Sequence, residues 1–361
     1  MDGVRRPRLC ARRAEHRRAD RPARRRRRMS RVAPPRWSLM TGLLALTLAA
    51  ALASLLFGPV ALSPGRLFAA ATGGDDRIAA IILFELRLPR TLLALAIGAM
   101  LGLAGAALQG YLRNPLAEPS VLGTSNAAAL GGVVALYFGL AELHPAMLPL
   151  LATGGALVSL ALLVMLAGQA ESPLTLILAG IAVGALAVAG TSLALNLSPN
   201  PFAAMEIMTW LLGSLENRSF DHLWIALPCI ATGMAMLLWN GRALDALSLG
   251  EDAAQALGTD LRRTRARLLL GTAIGVGGAV AVSGAIGFIG LIVPHLVRPL
   301  TDRSPSAILL PSAIGGAALL TLADIGVRVI PATNELKLGV VTAFLGVPVF
   351  LVHLMRERRL W

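Results

Sequence analysis

Between residues 39 and 355 the chain repeats one pattern: an apolar run about as long as a bilayer is thick, closed by Pro, Gly or a cluster of charges. Ten runs can be assigned, at about 39–60, 91–111, 121–140, 146–167, 174–197, 223–239, 268–284, 288–300, 307–329 and 338–355. A soluble core made of them would have almost no polar surface to show to water. Composition agrees, since 56% of the residues are hydrophobic and 15% charged, with a mean hydropathy of +0.70, against about 25% charged in ordinary soluble domains. Only helices or closed barrels satisfy every backbone group in lipid. Runs of this length therefore predict an all-α polytopic membrane protein of about ten transmembrane helices.

Arginine sets the orientation. Arg31 and Arg36 flank the first run, Arg356, Arg358 and Arg359 follow the last, and Arg262, Arg263, Arg265 and Arg267 form the densest internal cluster. With ten spans these fall on one side, together with Arg113, Arg242, Arg298 and Arg303. The other side holds Asp75, Asp76, Glu142, Glu206, Glu216 and Glu335. The basic side is expected to be cytoplasmic, with both termini there.

The net charge of +13 suggests a nucleic-acid partner until it is located along the chain. Residues 1–36 hold 15 of the 33 basic residues and three of the 20 acids, which leaves 18 bases against 17 acids for the remainder. The run Arg24 to Arg28 could touch RNA or anionic lipid, but no aromatic precedes Trp37 and no apolar period accompanies the charge. We therefore expect residues 1–36 to be a disordered basic tail, with Met29 as an alternative start, and no nucleic-acid partner. Residues 37–361 are expected to form the transmembrane domain.

The chain carries little chemistry of its own. Two cysteines, Cys10 and Cys229, make no disulfide framework, and none of the five histidines stands at i,i+3 or i,i+4 from another. No catalytic residue, metal site or cofactor is expected. A phosphate-binding loop needs lysine after glycine, whereas the one lysine, Lys337, lies between leucines. The chain is thus not an ATPase. An ion-coupled carrier would place charge in mid-membrane. Here the exception is Asp324, near the outer end of its run and four residues before Arg328, where an ion pair is the plain expectation. Glycines at helical spacing (Gly98, Gly102 and Gly105; Gly180 and Gly184; Gly271 and Gly275) predict close helix crossings.

Several long segments then match one known pattern in order. Arg87-Leu-Pro-Arg90 is followed by GAMLGLAGAALQ and RNPLAEPSVLG, and later by SGAIGFIGLIVPHLVRPL (283–300), LADIGVR (322–328) and ELKLGVVTAFLGVPVF (335–350). Over about residues 39–356 the sequence resembles the permeases of ABC importers for iron–siderophore complexes, haem and cobalamin. The resemblance implies a bacterial inner-membrane importer subunit that works by alternating access as a homodimer. It also implies two ATP-binding cassette ATPases inside and a periplasmic or lipid-anchored substrate-binding protein outside, with an iron–siderophore complex as first-choice cargo. An ion-coupled secondary transporter is the rival reading.

The resemblance also assigns sites. Arg87, Arg90 and Arg328, at the outer ends of their spans, match arginines that meet glutamates of the binding protein. The segment at about 244–265 matches the ATPase-coupling element, with Gly250, Glu251, Ala254, Leu257 and Gly258 at its centre. Asn114, Pro115 and Leu116 match a cytoplasmic gate. One departure is Lys337, which stands where the family's Glu-Leu-Pro turn has proline.

Overall fold

The computed structural model describes residues 36–168, 172–330 and 335–358. The expected tail, residues 1–36, lies outside this range but for Arg36, whose backbone opens the first helix. The described residues form helices and turns, with no strand among them. In chain order the helices are α1 Arg36–Leu56, α2 Pro64–Ala71, α3 Arg77–Ile81, α4 Leu88–Leu112, α5 Thr124–Tyr137, α6 Leu140–Leu143, α7 Met147–Ala167 and α8 Pro173–Asn196. They continue as α9 Pro201–Leu211, α10 Phe220–Trp239, α11 Gly241–Leu247, α12 Glu251–Ala256, α13 Leu261–Ser283, α14 Ile289–Val297, α15 Pro305–Val329 and α16 Leu338–Arg358.

Each expected span meets a helix, and seven of the helical segments are long and apolar enough to cross a membrane. Two expected spans are much shorter than their apolar runs. The run 121–140 becomes α5 only from Thr124, because Pro115 and Pro119 break the chain and Gly123 enters the left-handed region (φ 74°). The run 288–300 gives the nine-residue α14 and a 3-10 turn, Arg298–Leu300, after Phe288 takes φ 68°. Helices α2, α6 and α9 were not anticipated. Asn200 caps α9, its Oδ1 accepting from the Ala203 N–H at 2.9 Å, with Pro201 in the first turn.

The second span also begins earlier than expected. Residues Arg77–Leu112 form one continuous helix, so the Leu-Pro step at 88–89 is inside it rather than at its mouth. Proline has no N–H to return to the preceding turn. The chain absorbs the loss in a π segment, Ile82–Arg87, where the Leu88 N–H reaches back to the Leu83 carbonyl.

Helices α4 and α13 are central, each 78% buried over its apolar window, whereas α1 is only 11% buried. The crossing of α4 and α15 explains the glycine spacing. A Cβ at Gly98 would lie 2.3 Å from the Gly316 carbonyl oxygen, and one at Gly102 would lie 2.2 Å from that of Ser312. Backbone meets backbone there, which only the absence of a side chain allows.

Candidate functional site

At the outer end of the bundle, α1, α4, α15 and the segment before α16 bring together Arg87, Arg90, Arg328, Asp324 and Glu335. Asp324 and Arg328 make the expected i,i+4 pair, with Arg328 Nη2 2.8 Å from Asp324 Oδ2. The same carboxylate receives Arg90 from α4, at 3.0 Å from Nε and 2.7 Å from Nη2 to Oδ1. Arg90 continues to Glu335, donating from Nη1 to Oε2 at 3.2 Å and from Nη2 to Oε1.

The other donors close the end of α1. A helix C-terminus leaves its last carbonyls without intrahelical partners. Here Arg87 Nη1 donates to the Leu55 and Leu56 carbonyls at 2.7 and 2.8 Å, and its Nη2 to that of Val60 at 2.5 Å. Arg328 Nη1 donates to the carbonyls of Ser54 and Phe57, while its Nη2 meets Ser54 Oγ at 2.5 Å. Cations at a helix C-terminus also complement its dipole. Gly58 leaves the room, since a Cβ there would stand 3.0 Å from the Arg87 guanidinium.

The three arginines expected to dock the binding protein are thus held by acceptors of this chain. All three side chains are buried and bonded to acceptors of this chain, and they stitch α1, α4 and α15 together. Asp324 is fully buried, whereas the Glu335 side chain keeps 15% of its surface open. Sequence reading placed Glu335 on the outer side without a partner, because residues 245 positions apart give no pairing signal. Lys337 is a second such case, its Nζ 3.0 Å from Glu216 Oε2 in the turn between α9 and α10.

At the inner end, α11 and α12 form the expected short helices. Gly250 (φ 112°) opens α12 and Gly258 (φ 83°) closes it, both in a region that favours glycine. The closure is a Schellman arrangement: the Thr259 N–H bonds the Ala254 carbonyl at 2.9 Å, and the Gly258 N–H bonds that of Gln255 at 2.8 Å. Glu251 and Asp252 occupy the first turn of α12, where the helix dipole favours them. Ala254 is buried under α12, whereas Leu249 and Leu257 project outward, each about two-thirds exposed (69% and 65%). Asp245 Oδ1 ties α11 to the start of α15 by accepting from the Ser306 N–H at 2.9 Å.

The turn after α4 brings Pro115 and Leu116, two of the three residues expected at a gate, against two other helices. Arg113 leaves α4 at φ 48°, and Asn114 Oδ1 accepts from the Leu116 N–H at 2.9 Å. Pro115 and Leu116 then face Leu291, Ile292 and His295 of α14 and Val349 and Phe350 of α16 across a narrow slot. Glu118, which sequence reading passed over, accepts from Ser120 Oγ at 2.5 Å.

This arrangement of helices, with a short helical element at the arginine-rich end and a broken one facing α16, defines a multi-pass permease of the importer type. Comparison with known proteins makes the assignment specific: residues 46–356 match the model of the FecCD transport family, and the chain belongs to it. It is 38% identical over 328 residues to the vitamin B12 import system permease protein BtuC of Salmonella typhi, which covers 90% of this chain and 96% of that one. It is also 38% identical over 297 residues to an uncharacterized ABC transporter permease, YvrB, of Bacillus subtilis (81% and 84% covered). Among solved structures, an inward-facing conformation of a metal-chelate type ABC transporter superposes with a TM-score of 0.80 at 31% identity, covering 88% of this chain and 99% of that one. PsaBC from Streptococcus pneumoniae, at 16% identity and a TM-score of 0.51 over 76% of this chain and 93% of that one, shares the fold. The chain is thus a permease subunit of an ABC importer in the bacterial cell membrane, a class that works with ATPase and substrate-binding partners.

Proposed function

We propose that this permease carries a metal chelate inward, with cobalamin as the first cargo to test. The observation behind this choice is the 38% identity to a vitamin B12 import permease across 90% of the chain. Ferric siderophore complexes, the cargo expected from the sequence, are the second reading, favoured by the solved relative described as metal-chelate type. Each of the two ATPase subunits would seat on α11 and α12 of one permease copy, where Leu249 and Leu257, each next to a bounding glycine, stand exposed. A second copy would cover the apolar outer faces of α8, α9 and α16, where Leu178, Phe202 and Phe344 stand exposed.

Docking of the binding protein at the arginine cluster would require exchange. An incoming carboxylate would displace Glu335, the partly open partner of Arg90, and leave Asp324 in place. Glu335→Gln weakens the internal competitor and should tighten docking several-fold, whereas Arg90→Glu should abolish it. Titrating the binding protein against the permease in nanodiscs measures both, and looser docking by the Gln variant would refute exchange.

The cargo assignment is tested by uptake of radiolabelled cobalamin, ferric siderophore and haem into cells lacking this gene and complemented with the full chain. Cobalamin uptake that depends on the gene supports the first reading, and uptake of a ferric siderophore alone moves the assignment to the second. Transport that continues after ATP depletion and collapses with the proton gradient would favour an ion-coupled carrier instead.

A further inference from the structure

At the arginine-rich end of the bundle, where α10 gives way to α11, two cavities share Trp239 and Arg242. The first, of about 410 Å3, is a groove between α10 and α15 with Leu238, Leu309 and Leu310 as its apolar wall. The second, of about 650 Å3, is polar and reaches from α11 to the first turns of α13. Both are lined by residues of the unbroken described stretch 172–330. The polar cavity holds two features that the described chain does not complete. Its charged lining residues are Arg242, Arg263 and Arg267 against Asp245 and Asp260. Asp260 pairs with Arg263 at 3.0 Å and Asp245 accepts from the Ser306 N–H at 2.9 Å, whereas Arg242 and Arg267 make no hydrogen bond or ion pair among the described residues. The second feature is Asn240, 1% exposed, which ends α10. Its Nδ2 donates to the Met236 carbonyl at 2.7 Å, and its Oδ1, also buried, accepts from no donor among the described residues. Folded proteins seldom leave such an acceptor empty.

Depth decides which kind of ligand fits. Trp239 is the last residue of α10 and 79% exposed, and tryptophan settles where hydrocarbon meets headgroups. The leucine groove then lies at acyl-chain level and the polar cavity at headgroup level, with Arg242 at the junction. Guanidinium forks match phosphate oxygens, and basic pockets at this leaflet suit anionic headgroups. We propose that the two cavities together bind one anionic phospholipid with a hydroxylated headgroup. One acyl chain lies along Leu238 and Leu310, the phosphate meets Arg242 and Arg267, and a headgroup hydroxyl donates to Asn240 Oδ1. Phosphatidylcholine has no donor for Asn240. Phosphatidylethanolamine has a donor but no net charge for the two unpaired guanidiniums, and phosphatidylglycerol has both. Leu257 and Gly258 line the same polar cavity, so the headgroup would lie beside the proposed ATPase seat.

Native mass spectrometry of the purified full chain, offered equal amounts of phosphatidylglycerol, phosphatidylethanolamine and phosphatidylcholine, tests this. Retention should fall several-fold at each step in that order. Arg242→Gln with Arg267→Gln should bring phosphatidylglycerol down to the level of phosphatidylethanolamine while both stay above phosphatidylcholine, because Asn240 is untouched. Leu310→Trp, which fills the apolar groove from an exposed position and leaves the arginines intact, should lower phosphatidylglycerol retention several-fold. Equal retention of phosphatidylglycerol and phosphatidylethanolamine by the unaltered protein would overturn the proposal without any variant, and equal retention of phosphatidylethanolamine and phosphatidylcholine would remove Asn240 from it and overturn it as stated. So would a phosphatidylglycerol preference that survives the arginine variant, or retention unchanged by Leu310→Trp. Full competition by glycerol 3-phosphate, a headgroup without chains, would make this a soluble-anion site and also overturn it. Loss of ATPase co-purification in the arginine variant with the lipid order intact would assign Arg242 and Arg267 to a protein interface instead.

Discussion

Asp324 holds two guanidiniums from different helices, and its burial decides what its loss would do. A buried charge left without its partner costs on the order of 3–5 kcal/mol, so Asp324→Asn should unfold well below the parent in a thermal melt followed by tryptophan fluorescence. An unchanged melting temperature would mean that water or Glu335 replaces the lost carboxylate. Half of this cluster was legible in the sequence. Asp324 and Arg328 lie four residues apart on one helix, where side chains must meet. Arg90, 234 residues from Asp324, carried no such signal. Its family resemblance suggested an outward partner, whereas the folded chain supplies two carboxylates of its own.

Among the helices, the decisive contact is the crossing of α4 and α15. Gly98→Leu would drive a side chain into the Gly316 carbonyl, which is backbone and cannot rotate away. We expect that variant to yield little monodisperse protein by size-exclusion chromatography, whereas Gly154→Leu, where a Cβ meets nothing, should behave like the parent. In the inner element Leu257→Asp places a charge on an exposed apolar side chain next to Gly258. It should abolish co-purification with the ATPase while leaving the thermal melt of the permease unchanged, and intact co-purification would remove Leu257 from the proposed coupling site. The glycine spacing and the Gly250 and Gly258 boundaries could be read from the sequence because each is a local pattern. Helix α9 escaped notice because eleven residues are too few for a span, although Asn200-Pro201 is a start signal of the ordinary kind.

For the molecule as a whole, α8, α9 and α16 leave apolar side chains facing away from the described core, Phe202 at 83% and Phe344 at 78% exposed. In lipid such faces carry no penalty, so exposure alone does not distinguish a dimer interface from a lipid boundary. Mass photometry in nanodiscs does: a two-copy assembly is expected, and a single copy that still supports uptake would refute the homodimer. Fold class, family and the positions of the ten apolar runs followed from the sequence alone, because length, hydropathy and arginine placement are local quantities that the bilayer reads directly. The tertiary structure alone decided three things: that Pro89 lies within a continuous helix, that α5 and α14 stop short, and that the outer arginines turn inward to α1, Asp324 and Glu335. Each depends on where a carbonyl, a carboxylate or a turn from a distant part of the chain comes to rest, and no spacing along the sequence encodes that.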